Sequence, residues 1–244
     1  MPDFEGQISV VTGASRGIGC AIALDLARQG SVVCAVGRSL EVLETLGGGE
    51  GKVSGSFVPF RADLENDRDV QGLATGLLRS FVGLDILVHC AGQIAFGTVG
   101  SGSVDDFDRL YRINARAPFL LTQALLPMLR TRKGQIVFVN STAGVLAKPG
   151  AAGYSASKHA LRAVADALRE EVKKDGLRVI SVYPGRTATL MQEEASKAEG
   201  IRYIPESLIQ PEDVARVVLE ALRSDRKAEI TDVSVHPASR GIRA

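Results

Sequence analysis

Apolar residues along this chain gather into short dense runs, separated by longer stretches in which they recur every three or four positions. The runs QISVVT (7–12), SVVCAVG (31–37), GSFVPFRA (55–62), LDILVHC (84–90), GQIVFVN (134–140), LRVISVY (177–183) and AEITDVSVHP (228–237) read as strands. Several are nearly continuous in apolar residues, as strands covered on both faces must be. The spaced stretches predict amphipathic helices at 17–30, 39–46, 66–82, 105–130, 154–175 and 211–224. Strand and helix in alternation predict an α/β fold: a doubly wound parallel sheet of about seven strands with helices on both faces.

No proline- or serine-rich linker divides the 244 residues, so one domain over 1–244 is expected. GGGEG at 47–51 reads as a flexible surface turn. Its Gly51-Lys52 lacks the upstream glycine and the following Ser or Thr of a P-loop, which excludes that motif. Composition adds little except exclusions. With 45% hydrophobic residues a sizeable core is available. Lys plus Arg total 29 against 28 Asp plus Glu, without a block of like charge, so neither nucleic acid nor an anionic membrane is an expected partner. The first residues lack the basic and apolar regions of a leader, and no apolar run reaches a membrane span, which points to a cytoplasmic location. Cys20, Cys34 and Cys90 stand in apolar surroundings without C-x-x-C spacing and are expected as buried thiols, with no zinc and no disulfide.

Chemistry enters with TGASRGIG, Thr12 to Gly19, between the first strand and the first helix. A dinucleotide pyrophosphate needs such a turn, because glycines let the backbone come close and a helix start offers free N–H groups and a positive dipole end. Gly13, Ser15, Arg16, Gly17, Ile18 and Gly19 are therefore candidate cofactor contacts. The spacing is G-x-x-x-G-x-G rather than G-x-G-x-x-G. At the end of the second strand the sequence AVGRS leaves no acid at Gly37 to accept from an adenosine ribose, and Arg38 and Ser39 follow. Arg38, with Arg16 facing it, suits the extra phosphate of NADP(H).

YSASK, Tyr154 to Lys158, places a phenol and an ammonium one turn apart on one helix face. A free phenol titrates near about 10, and an adjacent ammonium favours the phenolate. Ser141 sits just past a buried strand, at the edge where open α/β sheets bind ligands.

TGASRGIG, YRINARAPF, VFVNSTAG, YSASK and SVYPGRTAT together make the chain similar to the short-chain dehydrogenase/reductase superfamily, over essentially its whole length. The resemblance implies a Rossmann-type fold and NADP(H)-dependent hydride transfer between nicotinamide and a small or medium carbonyl or alcohol substrate. It implies Tyr154 as general acid and base, with Lys158 lowering its pKa and binding the nicotinamide ribose. Ser141 would bond the substrate oxygen, and Asn114 would hold a water of the proton relay. Asp63 and Leu64 match the adenine contact, and Pro184, Gly185, Thr187 and Thr189 match the segment that fixes the carboxamide. Where the superfamily usually has Asn-Asn-Ala-Gly, this chain has His89, Cys90, Ala91 and Gly92. Ala91 and Gly92 preserve close approach to the cofactor, while Cys90 cannot replace an amide's paired donor and acceptor. His89 reads as structural.

Helices 105–130 and 154–175 are those through which the superfamily dimerises. A homodimer is expected, with a homotetramer less supported because the tail lacks a closing glycine pair. LMQEEASKAEGIRYIPESLI, Leu190 to Ile209, is expected to form a mobile lid over the substrate. Two other functions fit the scaffold: an NADP(H)-sensing regulator without turnover, against which Asn114, Ser141, Tyr154 and Lys158 argue, and a sugar-nucleotide epimerase or dehydratase, against which the short stretch after Gly185 argues.

Overall fold

The structure is a computed structural model and describes residues 3–46 and 55–238. The turn expected at 47–51 and the end of the tail beyond 238 lie outside the described residues. Strands β1 (Ile8–Thr12), β2 (Val32–Gly37), β3 (Ser56–Arg61), β4 (Ile86–His89), β5 (Gln135–Val139), β6 (Arg178–Pro184) and β7 (Asp232–Val235) form one parallel sheet in the order β3-β2-β1-β4-β5-β6-β7. β3 pairs on one side only, and this is why it tolerates Pro59, which has no N–H to give a second neighbour.

Successive strand residues point to opposite faces, and the two faces carry separate cores. Val10, Cys34, Leu87, Ile136, Phe138 and Val179 face α3 (Asp67–Ser80), α5 (Ala117–Arg132) and α6 (Ala152–Val172). Val11, Val33, Val88, Val137, Ile180 and Val182 face α1 (Gly17–Arg28) and α8 (Pro211–Arg223). Between β1 and β4 the strand order reverses. The crevice this opens at the carboxyl ends of the strands is where a doubly wound sheet receives a ligand.

Two expected elements differ. The helix read over 105–130 is three pieces: α4 (Val104–Tyr111), a π-turn over Arg112–Arg116, and α5. An extra residue in one turn leaves the apolar rhythm almost intact, so the pattern does not reveal it. The lid stretch contains a regular helix, α7 (Leu190–Ala198), and a 3-10 turn at Pro205–Ser207. The remaining helix α2 (Leu40–Glu44) starts at Ser39, whose hydroxyl accepts from the Val42 N–H at 3.4 Å.

Candidate active site

The glycine loop is shaped by close approach. A Cβ on Gly13, whose φ is +69°, would lie 2.9 Å from the Ala91 backbone, and one on Gly19 would overlap the Gly13 carbonyl oxygen. The loop is thereby pressed against the turn that follows β4. Arg16 takes the N-cap position of α1 with no side-chain cap and no acid in the first turn, so the amides of that helix start face outward uncapped.

Thr12 answers how the His89-Cys90-Ala91-Gly92 turn is held without the usual asparagines. Its hydroxyl accepts from the Cys90 N–H at 3.0 Å and the Ala91 N–H at 3.2 Å, and donates to the Val88 carbonyl at 3.2 Å. Asn114 completes the support from the π-turn: Oδ1 accepts from the Gln93 N–H at 2.9 Å, and Nδ2 donates to the Gln93 carbonyl at 2.9 Å and to Ser157 Oγ at 3.0 Å. Asn114 is fully buried and does not reach the cleft surface. His89 is structural in its contacts. It stacks on Phe138 at 4.9 Å, bonds Thr122 Oγ1 at 2.8 Å through Nε2, and burial drives its pKa down to about 3. Of the cysteines, Cys34 is buried, while Cys20 and Cys90 are half-buried, which corrects the expectation that all three are core thiols.

Ser141, Tyr154 and Lys158 meet across β5 and α6. Asn140 makes the junction: its Nδ2 donates to the Lys158 carbonyl at 3.1 Å, and its Oδ1 accepts from the Ser141 N–H at 2.9 Å. Lys158 Nζ donates to the Val139 carbonyl at 3.1 Å and lies 6.0 Å from the Tyr154 ring centre. Burial lowers the Lys158 pKa to about 8. Burial also raises that of Tyr154, while a hydrogen bond with the Ser141 side chain pulls it down. The expected lowering by Lys158 is therefore not the net result here. Desolvation of the phenolate outweighs every favourable contact, and the Ser141 hydroxyl is the group that opposes it. Cys90, beside Lys158, has its pKa pushed up to about 12 by burial and stays a neutral thiol.

These groups open on one cleft of about 1030 Å³. Ser15, Arg16, Gly17, Ile18, Arg38, Asp63, Leu64, Cys90, Ala91 and Gly92 line it, as do Pro184, Gly185, Thr187 and Thr189 at the end of β6. Ser39 does not; it serves as the cap of α2. Asp63 is held by turn bonds, donating from N–H to Asp69 Oδ2 at 2.9 Å and accepting from the Glu65 N–H at 3.1 Å. Beyond the Tyr154 end, Ile94, Phe96, Leu190, Met191 and Tyr203 make an apolar wall.

Two residues at the site and one beside it escaped the sequence reading. Gln93 lines the cleft, donates to Glu65 Oε1 at 2.6 Å and accepts from Arg109 at 2.6 Å. Arg61 ends β3 opposite Gly37 and donates from Nε to the Arg38 carbonyl at 3.3 Å. Arg186 lines the cleft and pairs with Glu199. All three depend on partners distant in sequence or in a neighbouring strand, so no local spacing announces them.

The pattern of the short chain dehydrogenase family matches residues 7–200. The chain is 35% identical over 242 residues to glycine betaine reductase ATRR of Emericella nidulans, covering 96% of this chain but 19% of that protein, so it spans under a fifth of that relative's length. It is 30% identical over 232 residues to an uncharacterized oxidoreductase of Staphylococcus aureus strain USA300, covering 95% of this chain and 97% of that one. Among solved structures, a metagenomic short-chain oxidoreductase in complex with NADP superposes with a TM-score of 0.80 at 31% identity, covering 97% of this chain and 100% of that chain.

Proposed function

The chain belongs to the short-chain dehydrogenase/reductase superfamily, and from that premise we propose that it is an NADP(H)-dependent oxidoreductase interconverting a small or medium carbonyl compound and its alcohol. The observation that carries this reading is the convergence of Ser141, Tyr154 and Lys158 on the same cleft as the glycine loop. NADP(H) fits the residues present. The backbone cradle at Gly13 and Gly19 admits no Cβ, the uncapped start of α1 suits a pyrophosphate, and Arg16 and Arg38 line the far end with no acid at Gly37. The NADP held by the metagenomic relative supports the same choice.

When bound, the nicotinamide supplies the hydride for reduction or accepts it in oxidation. The protein's part is placement and protons. Ser141 Oγ donates a hydrogen bond to the substrate oxygen, and the Tyr154 phenol gives that oxygen its proton as negative charge develops there. A phenol whose pKa burial raises is still protonated at neutral pH, the state needed of an acid. Lys158, with a pKa of about 8, would hold the ribose and return a proton to Tyr154. Asn114 holds Gln93 in the turn after β4 and ties that turn to Ser157 on α6. Asp63 and Leu64 would hold the adenine, and Pro184, Gly185, Thr187 and Thr189 would orient the carboxamide. Residues 190–209 cover the substrate as a lid within a single domain, and two copies pair through α4, α5 and α6.

The test is Tyr154→Phe, which keeps the ring and removes the transferable proton. NADPH should bind as before while reduction falls by at least about 100-fold. The substrate panel spans aldehydes, diketones, sugars, steroids and β-keto thioesters, with a quaternary-ammonium aldehyde added in view of the glycine betaine reductase relative. NADPH binding with no turnover across that panel would replace this reading by nucleotide sensing.

A further inference from the structure

Helix α7 is fastened to the sheet in an unusual way. No residue from Leu190 to Leu208 belongs to either large core or to the small cluster around Tyr154, and α7 buries only Ala195 and Ser196. Two small side chains remove little apolar area from water, so packing contributes little to holding the helix. Its base is zipped: the Ala188 N–H donates to the Ile209 carbonyl at 2.8 Å, and the Ile209 N–H donates to the Arg186 carbonyl at 3.1 Å. Beyond that base and the Thr189 N-cap, whose Oγ1 accepts from the Gln192 N–H at 3.3 Å, the Arg186–Glu199 ion pair is, among the described residues, the one side-chain bond joining residues 190–199 to anything outside the lid.

The placement of Glu199 runs against local electrostatics. It is the C-cap of α7, where the helix dipole disfavours a carboxylate and favours a cation. The position is nonetheless fixed. Gly200, at φ +69°, donates from its N–H to the Lys197 carbonyl at 3.2 Å, and the Ile201 N–H donates to the Ser196 carbonyl at 2.9 Å, a pair of hydrogen bonds that ends the helix sharply and fixes the backbone at Glu199. Both partners line the cleft, and their side chains are 36% and 35% exposed.

We propose that Arg186 and Glu199 are positioning residues that latch α7 over the substrate end of the cleft, so that the strength of this one ion pair sets how much of the time the lid is closed. The inference rests on the carbonyl reduction proposed above and deepens it. Closure presents Leu190, Met191 and Tyr203 to the substrate, and opening releases product. The latch is electrostatic and partly exposed, so salt weakens it.

Hydrogen exchange and steady-state kinetics on Arg186→Gln, Glu199→Gln and the exchanged pair Arg186→Glu with Glu199→Arg test this. Each single variant should speed exchange at 190–199 by about two- to fivefold, the range an ion pair of this exposure gives, while β6 and α8 stay as in the unchanged protein. KM for the carbonyl substrate should rise by a similar factor with kcat equal or higher. The exchanged pair should restore both, and higher salt should loosen the unchanged protein but not the single variants. Single variants with unaltered exchange and KM would overturn the latch, as would an exchanged pair that behaves like the singles. If no carbonyl is turned over, the proposed function fails, and the exchange measurement still decides the latch.

Discussion

Lys158 keeps an ammonium where water hardly reaches. Its folded pKa of about 8 lies below the ordinary 10.5, so the fold disfavours the charged form. The destabilisation is fully present below about pH 8 and disappears as pH rises toward 10.5. Lys158→Met should therefore abolish the proposed reduction while leaving Tm at pH 7 unchanged or slightly raised. The desolvation relieved is up to about 3 kcal/mol, offset by about 1–3 kcal/mol for the Val139 carbonyl left unpaired. A lower Tm in calorimetry would show that the bond outweighs the buried charge. If the proposed reduction holds, a pH–rate profile of the unchanged protein should decline through about pH 8, as the Lys158 ammonium loses its proton. At the opposite end of the cleft, Arg38→Ala should weaken NADPH by about 10- to 150-fold, the worth of charge-assisted phosphate bonds, with NADH little changed. Arg61→Ala should weaken NADPH in the same direction by less, because its guanidinium supports the Arg38 backbone. Equal losses for both cofactors in titration calorimetry would remove these arginines from phosphate recognition.

The π-turn at Arg112–Arg116 shows how one element serves another. It sets Asn114 inward, with both ends of the amide on the Gln93 backbone, so the turn after β4 is bound to a helix on the outer layer as well as to Thr12 of the neighbouring strand. Asn114→Leu would leave the Gln93 N–H and carbonyl unpaired near the cleft, at about 1–3 kcal/mol each. Tm should fall by several degrees, at roughly 2–4 °C per kcal/mol for a domain of this size. An unchanged melting curve would mean that water replaces the amide. The helix read over 154–175 was legible from its apolar rhythm, although it starts two residues earlier, at Ala152, and gives way to a 3-10 turn after Val172. The break at 112–116 was not, because it changes backbone pairing without changing which residues are apolar.

For the whole molecule, the outer surface of α4 and α5 carries Phe107, Tyr111 and Phe119, each about half exposed, beside the more open Val104. If two copies pair through these helices, sedimentation should give a dimer at micromolar concentration, and Phe119→Glu should shift it toward monomer by placing a charge in the covered face. A monomer before substitution would discard that assembly. The two cores, one on each side of the sheet, were foreseen by the apolar runs, since parallel strands must be covered on both faces.

The sequence by itself determined the alternation of strands and helices and the glycine loop, which follow from local periodicity and short spacing, and it singled out Tyr154 and Lys158 by their spacing on one helix and Ser141 by its place past a buried strand. Only the tertiary structure decided how Asn140 joins Ser141 to Lys158, how Thr12 holds the Cys90 turn, and where Arg186 meets Glu199. It also reversed the expected direction for Tyr154, since burial, which no spacing reports, costs the phenolate more than nearby donors return. Local chemistry is written along the chain; desolvation and long-range pairing exist only once distant segments have excluded water from between them.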